Sequence, residues 1–375
     1  SDVSGIDVWV GGVYDELTDE QAIAMQEFVE NGGGLVTGGH AWYWSYSNDN
    51  AAENHPANRM FWGAGLTLTA DYSSPGELTV GETPAFPLVQ ASWALDEMML
   101  HQSGEYPLEI DEQGQAADTV SYAVNHLPLS FDDYYDRVRA FRAEVEDVVP
   151  TAEQPIVPTT EPIAALVVSI DCRFAAELPV DELTAHESAA DFPGAVPDDA
   201  SRVNAEFTVD ARYAGMDDRY WFAGSGADLW RSTGLYAPPG EIVTVTVPDS
   251  AVGRGLGVLV GVHTDTIWHV ESWSRMPNIT RATAIDSATT EVANAFGGLI
   301  HLTVPAGEDL GEIVVSIDGA VHAPVFRLGQ HSNDDWIAYQ RDLPAPWAQL
   351  EGQWLNLILI IKLSDDHCDA KKVTL

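Results

Sequence analysis

The clearest candidate for chemistry in this sequence is a histidine followed two residues later by an aspartate, His263 and Asp265 in G-V-H-T-D. Side chains two positions apart on a strand lie on the same face, so this pair could share a metal ion or a hydrogen bond. A protein metal site needs a third and usually a fourth ligand, and the sequence names neither. A polar turn that fixes the end of a strand is the favoured interpretation, and no metal site is predicted.

Two other positions that suggest catalysis lack the residues that catalysis needs. The loop after the second predicted strand offers Gly39 and His40, where a nucleophilic cysteine or serine would stand in related α/β enzymes. His186 and Glu187 begin like the zinc-binding H-E-x-x-H helix, but Ala190 occupies the place of the second histidine. No catalytic residue is predicted.

Four aromatic residues follow that loop: Trp42, Tyr43, Trp44 and Tyr46. Aromatic faces combine apolar area with a polar rim, so one interpretation is a stacking surface for a sugar or a peptide. The alternative is that the rings close the edge of a sheet as part of a core, and this is favoured because aromatic side chains are more often buried. The four residues remain candidates for ligand binding.

Three arginines stand out because the chain has 58 acidic and only 17 basic residues: Arg231, Arg275 and Arg281. An arginine can hold a carboxylate or sulfate of a ligand through two parallel hydrogen bonds. Pairing with the abundant acids of the chain itself is the favoured alternative. Arg231 and Arg275 are retained as candidate ligand-binding residues.

A glycosylation sequon is present at Asn278-Ile279-Thr280. In a secreted eukaryotic protein Asn278 could carry a sugar. The alternative is that the three residues serve the fold.

The formal net charge of -41 excludes two classes of partner. Such a field repels nucleic acid and anionic membrane surfaces. All three lysines fall in the last 14 residues, and an acidic, lysine-poor surface fits a saline or marine setting, or equally a biased base composition in the genome. A melting temperature that does not rise between low and molar salt would contradict the saline interpretation.

No stretch approaches the ~18 consecutive apolar residues of a membrane helix, so no integral membrane segment is predicted. The two cysteines, Cys172 and Cys368, settle neither the redox compartment nor a disulfide.

The elements that must position these residues fall into two kinds. Near the start, a short apolar run, a helix capped by Thr18 and Gln21, and a second strand at Leu35–Thr37 predict a βαβ unit with a parallel sheet. Apolar spacing predicts further helices over Leu88–Leu100 and, behind a serine cap, over Ser130–Val148. The first part of the chain is therefore predicted to be α/β.

Four prolines between residues 150 and 163 exclude helix or central strand there and predict a linker. We expect an α/β domain over 1–149, a linker over 150–163, a β-domain over 164–361 and an atypical tail over 362–375. The apolar run Ala164–Ile170 is assigned as a strand of one of the two domains.

From residue 203 onward the pattern predicts an antiparallel β-sandwich or jelly roll, because short alternating runs are separated by proline, glycine and aspartate turns. The predicted strands are Val203–Val209, Tyr220–Ala223, Ile242–Val247, Val258–His263, Leu299–Val304, Ile313–Ile317, Val321–Phe326 and Trp354–Ile361.

Six blocks in order resemble the enhancin-like zinc metallopeptidases and the related TRP channel-associated factors. The blocks are Trp230–Pro248, Gly261–Asp265, Arg275–Pro277, Ile279–Arg281, Asn294–Ile300 and Pro344–Gly352. Ahead of them, Phe28–Trp44 resembles the amidotransferase-like (flavodoxin-like) module that precedes the β-domain in these proteins. The resemblance implies an amidotransferase-like domain followed by the family's β-sandwich.

The resemblance also implies a zinc site, but only in a catalytic region that follows the last block. None of the 11 histidines forms an H-E-x-x-H pair, so no cofactor is expected in this chain. We expect the chain to be the non-catalytic front part of such a protein, with an altered C-terminal tail and without the first strand of the amidotransferase-like module.

Three functions remain open at this point. The leading hypothesis is a region that binds glycoprotein or mucin-type ligands for a peptidase. The second is a protein-interaction factor like the channel-associated proteins, and the third is a fragment of an active peptidase. An extracellular or secreted location is expected, with a cytoplasmic or membrane-associated one as the alternative; the oligomeric state is open.

Overall fold

The computed structural model describes residues 5–12, 17–48, 50–61, 66–71, 87–215, 227–352 and 358–362. The chain divides into two compact units, unit 1 over Ser1–Val145 and unit 2 over Glu146–Leu375. Both helices and strands are present, so the predicted mixture of α/β and β-rich parts is confirmed at that level.

Unit 1 contains a two-stranded sheet and seven helices among its described residues. They are β1 (Val8–Gly12), α1 (Asp19–Glu30), β2 (Gly34–Gly38), α2 (Ala41–Trp44), α3 (Ala51–Asn54), α4 (Asn58–Phe61), α5 (Ala91–Ser103), α6 (Ile110–His126) and α7 (Asp132–Glu144). β1 and β2 are parallel, and the predicted βαβ unit is confirmed. The cap of α1 is also as predicted, with Thr18 and Gln21 forming a reciprocal capping box.

The two-stranded sheet has one covered face. Trp9 and Leu35 pack against a cluster that contains Met25 of α1 and Met60 of α4. The ring of Trp9 lies over residue 11 and fills the space where a Cβ would stand, so a side chain at position 11 would displace the ring. This face is the local core that holds α1 and α4 on the sheet.

Helices α5, α6 and α7 form the rest of the unit. The buried hydroxyl of Tyr135 in α7 donates to the carbonyl oxygens of Val124 and Leu127, 2.9 and 2.8 Å away, and so ties α7 to the end of α6. α5 and α7 were predicted, while α6 was not. The predicted serine cap of α7 is wrong, because Phe131 occupies the N-cap position and no side chain caps the helix.

The prediction of a strand over Ala164–Ile170 is also wrong, because these residues lie in α8 (Pro162–Glu177). The helix begins with Pro162 in its first turn, where proline is favoured. Its apolar residues are buried on several sides, so the run shows no helical period and resembles a strand. The apolar stretch extends to Cys172 and beyond, which is longer than a typical strand.

Unit 2 is built on β-strands that follow α8. They are β3 (Val203–Tyr213), β4 (Leu229–Ala237), β5 (Val243–Thr246), β6 (Gly257–Gly261), β7 (Arg281–Ala284), β8 (Thr289–Val292), β9 (Gly298–Val304), β10 (Glu308–His322), β11 (Val325–Arg327), β12 (Trp347–Glu351) and β13 (Ile358–Lys362). A three-residue helical turn, α9 (Asn333–Asp335), precedes β12. Eight strands form one sheet in the order β7-β6-β9-β4-β10-β5-β8 with β3 on β10, and β11-β12-β13 form a second.

Strand β10 connects the two halves of the larger sheet, which is nearly closed into a barrel. Its first part pairs with β3 and β5, and its last residues, Val321 and His322, pair with β4. Side chains from both halves meet in one core, including Val245 of β5, Val260 of β6 and Val315 of β10. The predicted antiparallel β-structure is thereby confirmed, as a larger sheet that is nearly closed into a barrel. The sandwich or jelly-roll arrangement stays a prediction.

Most of the predicted strands are present, with two adjustments. The runs predicted at Ile313–Ile317 and Val321–Phe326 fall mainly in the single strand β10, and β11 begins at Val325. The strand predicted at Tyr220–Ala223 and the tail after Lys362 lie outside the described residues. No described helix is both long and apolar enough to cross a membrane.

Candidate functional site

The aromatic residues predicted to bind a ligand lie on the short helix α2 and the turn after it, at the end of β2. Tyr43 and Tyr46 are exposed, by 65% and 76%, whereas Trp42 is half-buried. The three rings touch edge to face, with centroids 5.6 to 6.0 Å apart. We call Trp42, Tyr43 and Tyr46 the aromatic cluster, in which two rings are exposed and one is half-buried.

Trp44 has a different role from its neighbours. Its ring lies 5.1 Å from that of His55, which is fully buried. Burial lowers the pKa of His55, so the imidazole is held neutral. Trp44 and His55 therefore pack inward and hold α2 in place beneath the aromatic cluster. At Gly39 and His40 the strand end carries no hydroxyl or thiol.

The second predicted group, His263, Asp265 and Arg275, is brought together in unit 2. Nδ1 of His263 lies 2.5 Å from Oδ1 of Asp265, although not in line for a hydrogen bond. Nη2 of Arg275 lies 3.0 Å from Oδ2 of Asp265, and Nη1 donates to the carbonyl oxygen of Met276. The guanidinium also stands 5.6 Å from the ring centre of Phe192.

Arg275 is paired within the protein, whereas the buried Nδ1 of His263 makes no hydrogen bond in the described structure. Burial lowers the pKa of His263, and the charge of Arg275 lowers it further, while Asp265 acts in the opposite direction. His263 is therefore neutral near pH 7. The guanidinium N–H groups of Arg275 donate to Asp265 and to the carbonyl oxygen of Met276. The group holds the loop after β6 through contacts within the protein.

Arg231 and Arg281 each have their own partners. Arg231 donates to the carbonyl oxygen of Arg212, 3.0 Å away, and its Nη2 lies 3.7 Å from Asp210. Arg281 donates to the carbonyl oxygens of Ala175 and Leu178 at the end of α8. Both guanidinium groups thus stabilise the fold.

The sequon asparagine, Asn278, is half-buried, and its side-chain oxygen accepts from the backbone N–H of Thr280. The hydroxyl of Thr280 donates to the carbonyl oxygen of His263. The carbonyl oxygen of Asn278 accepts from the buried thiol of Cys172. Burial raises the pKa of this thiol to about 12. The sequon residues therefore have structural partners, and glycosylation of Asn278 stays a prediction.

A zinc site, as the resemblance implies for the catalytic region of the family, does not fit the described part of the chain. Nowhere in it do three histidine, cysteine, aspartate or glutamate side chains lie close enough to share a metal ion. His186 instead caps a short turn, with Nδ1 2.8 Å from the hydroxyl of Ser188 and Nε2 3.3 Å from Asp171. Ser188 is buried, so its hydroxyl is not presented to solvent.

Sequence reasoning missed a buried polar network between the two sheets of unit 2. Nε2 of His301 in β9 lies 2.8 Å from Nε2 of Gln349 in β12, and the amide oxygen of Gln349 accepts from Ser232 of β4. His301 and Gln349 are fully buried. Burial lowers the pKa of His301 to about 4. The signal in the sequence is a histidine within the apolar run of β9.

Two known families match this chain by sequence. The profile of the N-terminal domain of M60-like peptidases matches residues 198–318. A profile described as "TRPM8, N-terminal domain" matches residues 3–83. The two matches fall in different units, in the order expected from the resemblance.

Curated relatives extend the match along the chain. A TRPM8 channel-associated factor homolog from Danio rerio is 29% identical over 95% of this chain and 39% of its own length. TRPM8 channel-associated factor 2 from Bos taurus is 29% identical over 96% of this chain and 38% of its own length. The chain thus spans about two fifths of the length of these relatives.

Solved structures give a weaker likeness. IMPa from Pseudomonas aeruginosa, in complex with an O-glycopeptide, is 14% identical, covers 92% of this chain and 41% of that chain, and has a TM-score of 0.39. By sequence, the resemblance is confirmed: this chain is similar to the M60-like, enhancin-like peptidases over residues 198–318 and to the TRPM8 channel-associated factors along most of its length.

Proposed function

We propose that this chain is a non-catalytic binding region whose ligand is a protein, and that the aromatic cluster contacts that protein. The observation that carries the proposal is the exposure of Tyr43 and Tyr46 beside the half-buried Trp42. Tyrosine and tryptophan contribute most strongly to protein interfaces, because each presents a large rigid surface with a polar tip. The edge-to-face contacts hold these rings in place before a partner arrives.

The relatives support the choice of a protein partner. They are named TRPM8 channel-associated factors and are similar over nearly all of this chain, so a channel of the TRPM8 type is the partner that we propose. A cytoplasmic or membrane-associated location would follow. We also propose that unit 1 has the amidotransferase-like fold of these proteins.

A second candidate function is binding of glycoprotein or mucin-type glycans, as the front part of a peptidase. The match to M60-like peptidases favours it, and the hydroxyl-bearing rings of Tyr43 and Tyr46 suit a sugar as well as a peptide. An extracellular location would follow in that case.

Binding to purified TRPM8 in detergent, measured by biolayer interferometry, tests the proposal. The double variant Tyr43→Ala/Tyr46→Ala should bind about tenfold more weakly or worse, because two interface rings are lost. Tyr339→Ala is the matched control, since Tyr339 is 73% exposed but lies in unit 2, and it should bind like the wild type.

Two results would contradict the protein proposal: no binding by the wild type, or equal binding by the double variant. An array of O-linked and sialylated glycans completes the test. Glycan binding that the double variant loses, without channel binding, would establish the second candidate instead.

A further inference from the structure

Three polar side chains meet in the buried space between the two sheets of unit 2: Ser232 of β4, His301 of β9 and Gln349 of β12. Ser232 and His301 are opposite each other in the antiparallel pairing of β4 with β9, so their side chains lie on the same face. His301 and Gln349 are fully buried, and Ser232 is half-buried. We call these three residues the Ser–His–Gln group.

The contacts within the Ser–His–Gln group bring a hydroxyl to an acyl group. The hydroxyl of Ser232 donates to the side-chain oxygen of Gln349, so Oγ lies against the carbonyl group whose carbon, Cδ, it could attack. Nε2 of His301 lies 2.8 Å from the amide nitrogen of Gln349. An amide NH2 group can only donate, so Nε2 of His301 is the acceptor and the ring is in the neutral form that can act as a base. The nucleophile, the acyl carbon, the leaving nitrogen and the base are therefore adjacent.

The position of the imidazole is unfavourable for a side chain that only packs. Nδ1 of His301 is buried and has no hydrogen-bond partner among the described residues, and the ring of Trp230 lies beside it, with centroids 5.4 Å apart. A buried N–H group without an acceptor lowers stability, whereas the neighbouring positions of β9 carry Ile300 and Leu302. A chemical role for the ring accounts for a histidine at this position.

We propose that Oγ of Ser232 attacks Cδ of Gln349 and forms an ester that links β4 covalently to β12. His301 takes the hydroxyl proton and delivers it to the amide nitrogen, the bond between Cδ and that nitrogen breaks, and ammonia leaves. One C–O bond replaces one C–N bond, so no oxidant, reductant or second substrate is needed. Burial excludes the water that would hydrolyse the ester. The inference goes beyond the proposed binding function and does not depend on it.

Intact-mass spectrometry of the purified full chain, denatured in acid, tests the inference. The wild type should weigh about 17 Da less than its sequence, which is the mass of one ammonia. Ser232→Ala should show no such loss, because the attacking oxygen is removed. His301→Gln should show it in less than about a tenth of the molecules, because the proton transfer loses its base.

A second contact between a serine and an amide in unit 2 provides the matched control. The hydroxyl of Ser316 in β10 donates to the side-chain oxygen of Asn204 in β3, 3.4 Å away, but Asn204 is exposed to water. Ser316→Ala should therefore keep the full loss of about 17 Da. Tandem mass spectrometry of a wild-type digest should find the peptide of Ser232 joined to that of Gln349, and the peptides of Ser316 and Asn204 unjoined.

Thermal unfolding gives a second measurement. The ester would join residues 117 positions apart, and closing so large a loop restricts the unfolded chain as a disulfide does. The melting temperature of Ser232→Ala should therefore be lower than that of Ser316→Ala by about 10 °C or more.

Three results would overturn the inference. The first is a wild-type mass equal to that of the sequence, which decides the question whether or not the variants fold. The second is an undiminished loss of about 17 Da in Ser232→Ala, which would place the loss of ammonia elsewhere in the chain. The third is a full loss in His301→Gln, which would exclude the histidine from the reaction.

Discussion

Strands β2 and β9 lie in different units and differ in what covers them. All seven residues of β9 are buried, because one side faces the core of the curved sheet and the other faces a layer that includes α8 and β12. In β2 burial alternates, and Val36 is 57% exposed. The comparison teaches that the strand of unit 2 is covered on both sides, whereas unit 1 leaves apolar and aromatic side chains exposed.

Charged side chains show the same contrast. Arg275 in unit 2 has a side chain only 11% exposed and several protein acceptors. Arg59 in unit 1 pairs with Asp19 while both side chains are more than half exposed. Arg275 is therefore enclosed by unit 2, whereas Arg59 lies at the surface of unit 1.

The strongest test of the comparison is truncation of one side chain in each strand. Ile300→Ala in β9 should lower the free energy of unfolding of unit 2 by about 4 kcal/mol, since Ile300 is fully buried. Val36→Ala in β2 should cost about 0.5 kcal/mol or less. Urea unfolding, together with hydrogen exchange of the β9 and β2 amides, measures both losses in the free energy of unfolding. Similar losses in the two variants would contradict the difference between the two strands.

Acid should destabilise unit 2 through His301. The folded-state pKa of about 4 lies below the ordinary value of 6.5, so the unfolded chain takes up a proton first as the pH falls. The free energy of unfolding therefore has its full value above pH 6.5 and decreases as the pH falls towards 4. At about 1.4 kcal/mol per pH unit, the total loss is about 3 kcal/mol.

Urea unfolding at several pH values measures this loss. His301→Gln should flatten the dependence between pH 6.5 and 4, whereas His322→Gln, at an exposed histidine, should not. An unchanged pH profile in His301→Gln would mean that other groups cause the acid sensitivity.

A smaller effect is expected from the arginines. Arg275→Met should cost about 1–2 kcal/mol, because Asp265 and the carbonyl oxygen of Met276 lose a charged donor. Arg59→Met should cost less than about 0.5 kcal/mol, since exposed ion pairs contribute little. Thermal unfolding of the two variants compares them, and a larger loss in Arg59→Met would reverse the conclusion about unit 2.

The smallest effect on stability should come from the aromatic cluster. Tyr43→Ala and Tyr46→Ala should each change the free energy of unfolding by no more than about 0.5 kcal/mol, because the side chains are largely exposed. Circular dichroism during urea unfolding measures this. A loss above about 2 kcal/mol would mean that the cluster is part of the fold and would weaken its assignment as a binding surface.

Features that depend on neighbours in the chain were predictable from the sequence. The capping box of α1 needs only Thr18 and the residue three positions on, and β5 shows the alternation of a strand with one buried face. Helix α8 was not predictable, because burial on several sides removes the period that would identify it.

Among the candidate site residues, too, only contacts between near neighbours in the chain were predictable. His263 and Asp265 meet because they are two positions apart, as the sequence indicated. The contact of His301 with Gln349 joins residues 48 positions apart, so nothing local predicts it. The exposure of Tyr43 and Tyr46 depends on what else packs at the end of β2, and the sequence pattern alone favoured burial.

The dual pairing of β10 also has a consequence for how fast the chain folds. Val315 of β10 pairs with Phe207 of β3, about 100 positions earlier, and the end of the same strand pairs with β4. Such distant pairing must close large loops before it contributes any stability, which slows folding. We therefore expect folding of unit 2 to be the slow step during synthesis, because it can be completed only after β10 has left the ribosome. The locally connected helices α5, α6 and α7 should form earlier.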